Sequence, residues 1–292
     1  MVKLIEQFLY QLTFLEPLSD ALQKAIGDVL QQGGEQAKLA KDALNGVWFE
    51  HPLHPALTDI PIGAWTCATM LDLGSVGDER LGKAADVLVG VGCLGAVGAA
   101  LTGVADWQDT YGKERRTGLA HGLLNTAALG LFLTSLSLRR SGSRTAGVMA
   151  SLAGYSVALA ASYLGGDLVF RMGTQVNRNA WTEGPDDWTA AIAETDVPEG
   201  KLVRADAGGV QVLLCRQNGR LHAISAVCPH AGGPLDEGTL EGRSVICPWH
   251  GSQFDLANGA IIHGPASVEP LVYETRVENG QIEVRRAPQP AY

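Results

Sequence analysis

Cys228-Pro229-His230-Ala231-Gly232-Gly233 and, a short way on, Cys247-Pro248-Trp249-His250-Gly251-Ser252-Gln253-Phe254-Asp255 decide how the last third of this chain is read. Each box pairs a thiolate donor with an imidazole donor. Soft thiolates and borderline imidazoles bind transition metals, so zinc and an iron–sulfur cluster are the two candidates. A zinc finger joins Cys to Cys and His to His, an order this chain lacks. A mixed Cys/His pair in each box suits a [2Fe–2S] centre, with two thiolates on one iron and two neutral imidazoles on the other. That lowers the ligand charge and eases reduction.

Working outward, the boxes lie on loops of an all-β pattern. Strands are predicted at 202–206, 210–216, 221–227, 243–247, 253–255, 273–278 and 281–285. Asn218-Gly219, Asn258-Gly259 and Asn279-Gly280 mark the turns, and Asn-Gly between alternating stretches is a strong hairpin signal. The polar stretch 171–196, with Gly184-Pro185-Asp186-Asp187, reads as a linker.

CPHAGGPLDEGTLEG followed by CPWHGSQFD resembles the two boxes of the Rieske [2Fe–2S] family, over about residues 186–286. The resemblance implies Cys228, His230, Cys247 and His250 as cluster ligands. It also implies that Gly264-Pro265-Ala266 forms a loop covering the cluster, and that the Ser252 hydroxyl meets a bridging sulfide. Rieske subunits of quinol-oxidising complexes carry an extra Cys in each box. Here Gly233 and Trp249 stand there, and Phe254 replaces a tyrosine that would bond a ligand sulfur. Fewer hydrogen bonds to sulfur stabilise the reduced state less, so the potential is expected toward the low end of the Rieske range, from about −150 mV upward. A Rieske oxygenase would need a further two-His-one-carboxylate iron site. Residues 251–292 hold His263 alone, and His263 and His222 read as surface or turn residues.

Upstream the composition changes. Four apolar segments, from Pro55 to about Ser75, 84–105, 118–138 and 146–170, each approach the ~20 residues that span a bilayer as a helix. The third has no charged face, which a soluble bundle would show. Gly90, Gly92, Gly95 and Gly98 would let neighbouring helices approach closely. Residues 1–50 read as one or two amphipathic helices, from Pro17 and then over 36–44, and the first residues do not read as a signal peptide. The expected architecture is therefore multidomain: a lead-in at 1–50, an all-α membrane four-helix domain at 51–170, the linker at 171–196 and a small all-β Rieske domain at 197–286. Lys38, Lys41, Lys113, Arg115, Arg116, Arg171 and Arg178 flank the spans on one side. Arg80, Lys83, Arg139, Arg140 and Arg144 flank them on the other. The bias sets both termini and the Rieske domain on the cytoplasmic side.

HPLHPALTDIPIGAWTCATMLDL resembles the opening of a family of four-span membrane domains of unassigned function with an H-P-x-H-P box, over about residues 48–173. His51 and His54, Asp106, His121 and Asp167 gather at one membrane face by alternating span direction. Ionisable groups in spans often mark function, and two readings stand: a b-type haem or quinone site, or helix capping and packing.

A net charge of −9 argues against nucleic-acid binding, and five irregularly spaced cysteines argue against a disulfide framework. The function expected is membrane-anchored one-electron transfer, with membrane lipid and a redox partner protein, a reductase or terminal acceptor. The alternatives are a quinone- or b-haem-linked oxidoreductase and a cluster-based redox sensor. No catalytic residue is evident in the sequence.

Overall fold

The computed structural model describes residues 12–74 and 78–287, so the first eleven residues, read above as lacking a signal peptide, lie outside it. The chain divides into two compact units, Met1–Ala37 with Pro52–Thr174 and Lys38–His51 with Gln175–Tyr292.

Helix α1, Glu16–Asn45, is one run kinked at Gly34, where φ is 56° and ψ is −139°. The one or two helices expected from sequence are joined across that kink. The run stops at Gly46, whose φ of 82° only glycine adopts without cost. Four further helices follow: α2 Leu53–Gly74, α3 Glu79–Trp107, α4 Gly112–Arg140 and α5 Arg144–Phe170. Asp78 caps α3, its carboxylate accepting from the Arg80 and Leu81 amides. Packing is closest within two hairpins, α2 with α3 and α4 with α5.

Outward-facing positions are large and apolar: Leu94 is 77% exposed, Met70 and Val87 nearly as much. Around one large buried pair, Trp65 and Phe132, much of the interior is small or polar, with Ala68, Ala85, Ala128, Ala161, Ser135 and Ser151 buried. That reversal suits lipid, where close packing of small residues and interhelical hydrogen bonds hold helices together. Helices α3, α4 and α5 are each long and apolar enough to cross a membrane. Of the four spans expected, α2 alone does not meet that measure; at 22 residues it is long enough, but His54, Asp59 and Asp72 lie within it.

The two hairpins repeat one another. Positions 54, 65 and 72 of α2 recur at one constant offset as 121, 132 and 139 of α4. Positions 92, 99 and 103 of α3 recur likewise as 154, 161 and 165 of α5. The pairs meet. Trp65 stacks on Phe132 with centroids 4.0 Å apart and planes at 11°. Gly92 and Gly154 make room for these rings, since a Cβ on Gly154 would lie 3.1 Å from Phe132 and one on Gly92 would run into Trp65. Asp72 and Arg139 form a buried ion pair, with Nη1 donating to Oδ1 at 2.9 Å. Arg139 also donates to Asp86 at 2.7 Å and Ser151 at 3.0 Å. Sequence placed Arg139 in a charged connection; it is instead a buried end of α4.

The second unit is all-β. Its larger sheet runs β1-β10-β9-β4-β3-β2 and its smaller one β5-β6-β7-β8, all antiparallel. The strands are β1 Thr189–Ala193, β2 Leu202–Ala207, β3 Val210–Gln217, β4 Arg220–Ser225, β5 Thr239–Glu241, β6 Ser244–Ile246, β7 Gln253–Asp255, β8 Ile261–His263, β9 Val272–Glu278 and β10 Gln281–Arg286. Asn218 and Asn279 both take φ of 50° ahead of their glycines, as tight hairpins require. Strand β3 is buried on both faces: Leu213 and Cys215 join one core with Ile224, Val245 and Phe254, Val212 and Leu214 another with Ala223 and Ile282. Three strands went unforeseen. Strand β1, inside the expected linker 171–196, pairs with β10; β5 and β8 are three residues each. The strand expected over 221–227 ends at Ser225, because Val227 turns to bridge Pro234.

Candidate metal centre

The two boxes fold as twins. In the first, the Cys228 amide donates to Gly233 O at 2.8 Å and the Gly232 amide returns to Cys228 O at 2.9 Å. In the second, the Cys247 amide donates to Ser252 O at 2.8 Å and the Gly251 amide to Cys247 O at 3.1 Å. Gly232 and Gly251 close the loops with φ of 86° and 78°. Box one follows β4 and box two joins β6 to β7, so the sheets bring the four donors to one tip.

There the donors sort by type. Cys228 and Cys247 are buried and hydrogen-bonded to each other. His230 and His250 stand with ring centroids 4.9 Å apart and planes at 87°. Two separate pairs suit a binuclear cluster better than one tetrahedral zinc. His230 Nδ1 is buried with no hydrogen-bond partner, and a buried lone pair left without a partner is what a ligand atom presents before its metal. The donor set therefore fits the [2Fe–2S] group that the sequence implied.

The hydrogen bond between the thiols holds Cys247 down and helps push Cys228 up, burial adding to the rise. His230 is held down at about 3 by burial first, then by His250, Lys41 and Arg178. A neutral imidazole and a ready thiolate are the ligating forms.

Space beside the donors is tight. Gly233 leaves no room for a side chain: a Cβ there would lie 2.7 Å from Cys247 Sγ. Ser252 and Phe254 are fully buried and Trp249 is 53% exposed. Pro265 is buried behind a cis Gly264–Pro265 bond. The Ala266 amide donates to Ser252 Oγ at 3.0 Å, which ties the 264–266 loop to box two and leaves the Ser252 proton to donate elsewhere.

Two supports were missed. Asp42, from the end of α1, accepts from the Gly264 amide at 2.9 Å and meets His263 Nδ1 at 2.7 Å, so His263 is a clamp residue rather than a loose surface one. Asn179, inside the expected linker, donates to Val227 O at 3.0 Å, and the Arg178 amide donates to Pro229 O, also at 3.0 Å. Neither shows a local pattern, because each partner lies far off in the chain. Asp42→Ala is expected to destabilise this unit by about 1–3 kcal/mol, the cost of orphaning buried donors, and to speed loss of the cluster in air; the bleaching rate of the visible absorption measures it.

Residues 187–281 match the Rieske [2Fe-2S] domain model, and ferredoxin CarAc of Metapseudomonas resinovorans is 30% identical over 98 residues, 33% of this chain and 92% of that protein. The chain belongs to the Rieske [2Fe–2S] family. Its Rieske domain is also similar to the ferredoxin component of the naphthalene 1,2-dioxygenase/salicylate 5-hydroxylase systems of Ralstonia sp, 28% identical over 34% of this chain and 95% of that one. Apoptosis-inducing factor 3 of Homo sapiens is 33% identical over 32% of this chain. The chain spans only 16% of that protein. Among solved structures, the ferredoxin of carbazole 1,9a-dioxygenase from Nocardioides aromaticivorans IC177 covers 34% of the chain at 25% identity, 98% of its own length aligned, with a TM-score of 0.33. Residues 50–178 match a predicted membrane protein model, DUF2231. The chain thus fuses a Rieske domain, with the iron–sulfur electron transfer that implies, to a helical domain of a membrane protein family.

In the helical unit, His54 and His121 come together with ring centroids 6.4 Å apart. Asp106 and Asp167 are buried near the ends of α3 and α5, Asp167 paired with Arg171 at 3.2 Å. His51 belongs to the other unit, where its ring lies 5.8 Å from Phe49. Of the five residues expected as one group, His54 and His121 face each other, and Asp106 and Asp167 lie near helix ends in the same unit.

Proposed function

We propose that this protein is a membrane-anchored Rieske ferredoxin that passes single electrons to or from a redox partner protein. The observation that carries the reading is the sorted donor set, Cys228 with Cys247 and His230 with His250, beneath a loop clamped by Asp42. When bound there, the cluster supplies one-electron chemistry. The chain's part is to hold neutral imidazoles, bury the thiolates and exclude water. Dioxygenase ferredoxin components among the relatives support a reductase or a terminal acceptor as partner. The four helices α2–α5 serve as a four-span anchor, with the Rieske domain on the cytoplasmic side by the Lys/Arg bias.

Ser252→Ala would remove the hydrogen bond that the family resemblance gives this hydroxyl with a bridging sulfide, a charged acceptor, worth about 1.5–3 kcal/mol. The midpoint potential is therefore expected to fall by roughly 60–130 mV; redox titration of wild type and variant reads it. The anchoring is tested by EPR of carbonate-washed membranes. Cluster signal retained until detergent is added supports it, and cluster signal in the soluble fraction refutes it.

A second reading, an oxidoreductase with its own haem or quinone in the helical unit, is favoured by the facing of His54 and His121.

A further inference from the structure

The helical repeat places its two histidines as equivalents, and their surroundings match. His54 Nδ1 lies 2.8 Å from Ala99 O on α3. His121 Nδ1 lies 2.8 Å from Ala161 O on α5. A carbonyl oxygen only accepts, so each Nδ1 carries the proton and each neutral ring keeps its lone pair on Nε2. Asn125 Nδ2 is 3.1 Å from His121 Nε2, donating to that lone pair. One turn beyond each carbonyl stands a glycine against the ring. A Cβ on Gly103 would lie 2.8 Å from His54 Cε1, and one on Gly165 3.1 Å from His121 Cε1. Each imidazole is thus fixed by a main-chain acceptor on Nδ1 and a glycine-lined wall, which makes Nε2 the lone-pair atom of both rings; on His121 a metal would displace the Asn125 amide from it. An Nδ1–H bonded to a backbone carbonyl is the usual support of a metal-ligating histidine.

The separation is informative. Two imidazoles bound through Nε2 to opposite sides of one metal, at about 2.0 Å each, hold their ring centres roughly 6 Å apart. The rings here are 6.4 Å apart with planes at 87°. Among the described residues, no third His, Cys, Asp or Glu joins them, so a bare ion would have two protein ligands and an otherwise empty sphere. A porphyrin supplies the missing four nitrogens. A quinone carbonyl needs a proton from the ring, and Nε2 has none to give in this tautomer.

We propose that His54 and His121 are the two axial ligands of a b-type haem held between the hairpins. This deepens the reading of the helical unit as a second redox site and is independent of the Rieske cluster.

The test is titration of the detergent-purified full chain with hemin, followed by optical spectra of the oxidised and dithionite-reduced forms. The expected result is saturation at one hemin per chain with a six-coordinate low-spin spectrum. His54→Ala and His121→Ala should each weaken hemin binding by more than about 100-fold while the Rieske EPR signal persists, which reports on the cluster separately. His121→Met guards against a variant that merely fails to fold: it should keep haem but shift the spectrum and raise the haem potential, as His/Met ligation does. Absence of hemin binding by the wild-type chain, equal binding by the alanine variants, or an unchanged spectrum in His121→Met would each overturn the assignment.

Discussion

Cys247→Ala leaves the purified chain without its cluster: visible absorption and EPR signal vanish, and bound iron falls from two per chain to near zero. The reason is geometric. Cys247 and Cys228 are the thiols of the two boxes, buried and bonded to each other, and a [2Fe–2S] iron left with one of them would lose half of its protein ligands. The loss propagates, because Cys247 also sits where the Cys247 amide, Ser252 and Ala266 knit box two to the covering loop. Metal-ligand free energy is of order 10 kcal/mol in small structural sites, so the Rieske unit should melt far below wild type. Iron analysis and thermal melting followed by far-UV circular dichroism check both parts. A variant that bound a stoichiometric zinc ion in place of iron would show that the wild-type site is misread.

Arg139→Ala should be the most damaging single change in the helical unit. Asp72 and Arg139 are nearly fully buried, their side chains 1% and 2% exposed. Removing the guanidinium strands the Asp72 carboxylate, and breaking a buried pair from one side costs about 3–5 kcal/mol. For a unit of this size that is roughly a 10 °C loss in Tm. Replacing both partners, Asp72→Leu with Arg139→Met, should recover most of it, since apolar isosteres of a buried pair are often neutral or better. Asp86 would keep Arg144, which donates to it at 3.1 Å. Melting curves in one detergent compare the three proteins; a double variant no better than the single would mean that packing, rather than the stranded charge, sets the cost.

Local chemistry was legible in the sequence and distant pairing was not. The two boxes state their donors in consecutive residues, and Asn218-Gly219 and Asn279-Gly280 announce their hairpins, so the site and most of the larger sheet could be written down in advance. Strand β1 could not: TAAIA in a polar stretch has little pattern of its own and becomes a strand by pairing with β10, at the far end of the chain. The same holds for Asp42, whose partners His263 and Gly264 are far downstream. Arg139 looked like a loop charge because its partners lie on α2 and α3. The hairpin repeat was hidden because its equivalent positions complement rather than copy each other. Trp65 answers Phe132 and Asp72 answers Arg139, leaving His54 and His121 as a matched pair.

The most direct test of the central claim is an EPR-monitored redox titration of the intact chain. The account predicts one reducible cluster per chain, a one-electron Nernst curve, and a midpoint toward the low end of the Rieske range, from about −150 mV upward. A midpoint well above zero would contradict the reading of Phe254, Gly233 and Trp249 as residues that leave the sulfurs sparsely bonded, and a chain with no reducible iron would contradict the electron-transfer function itself.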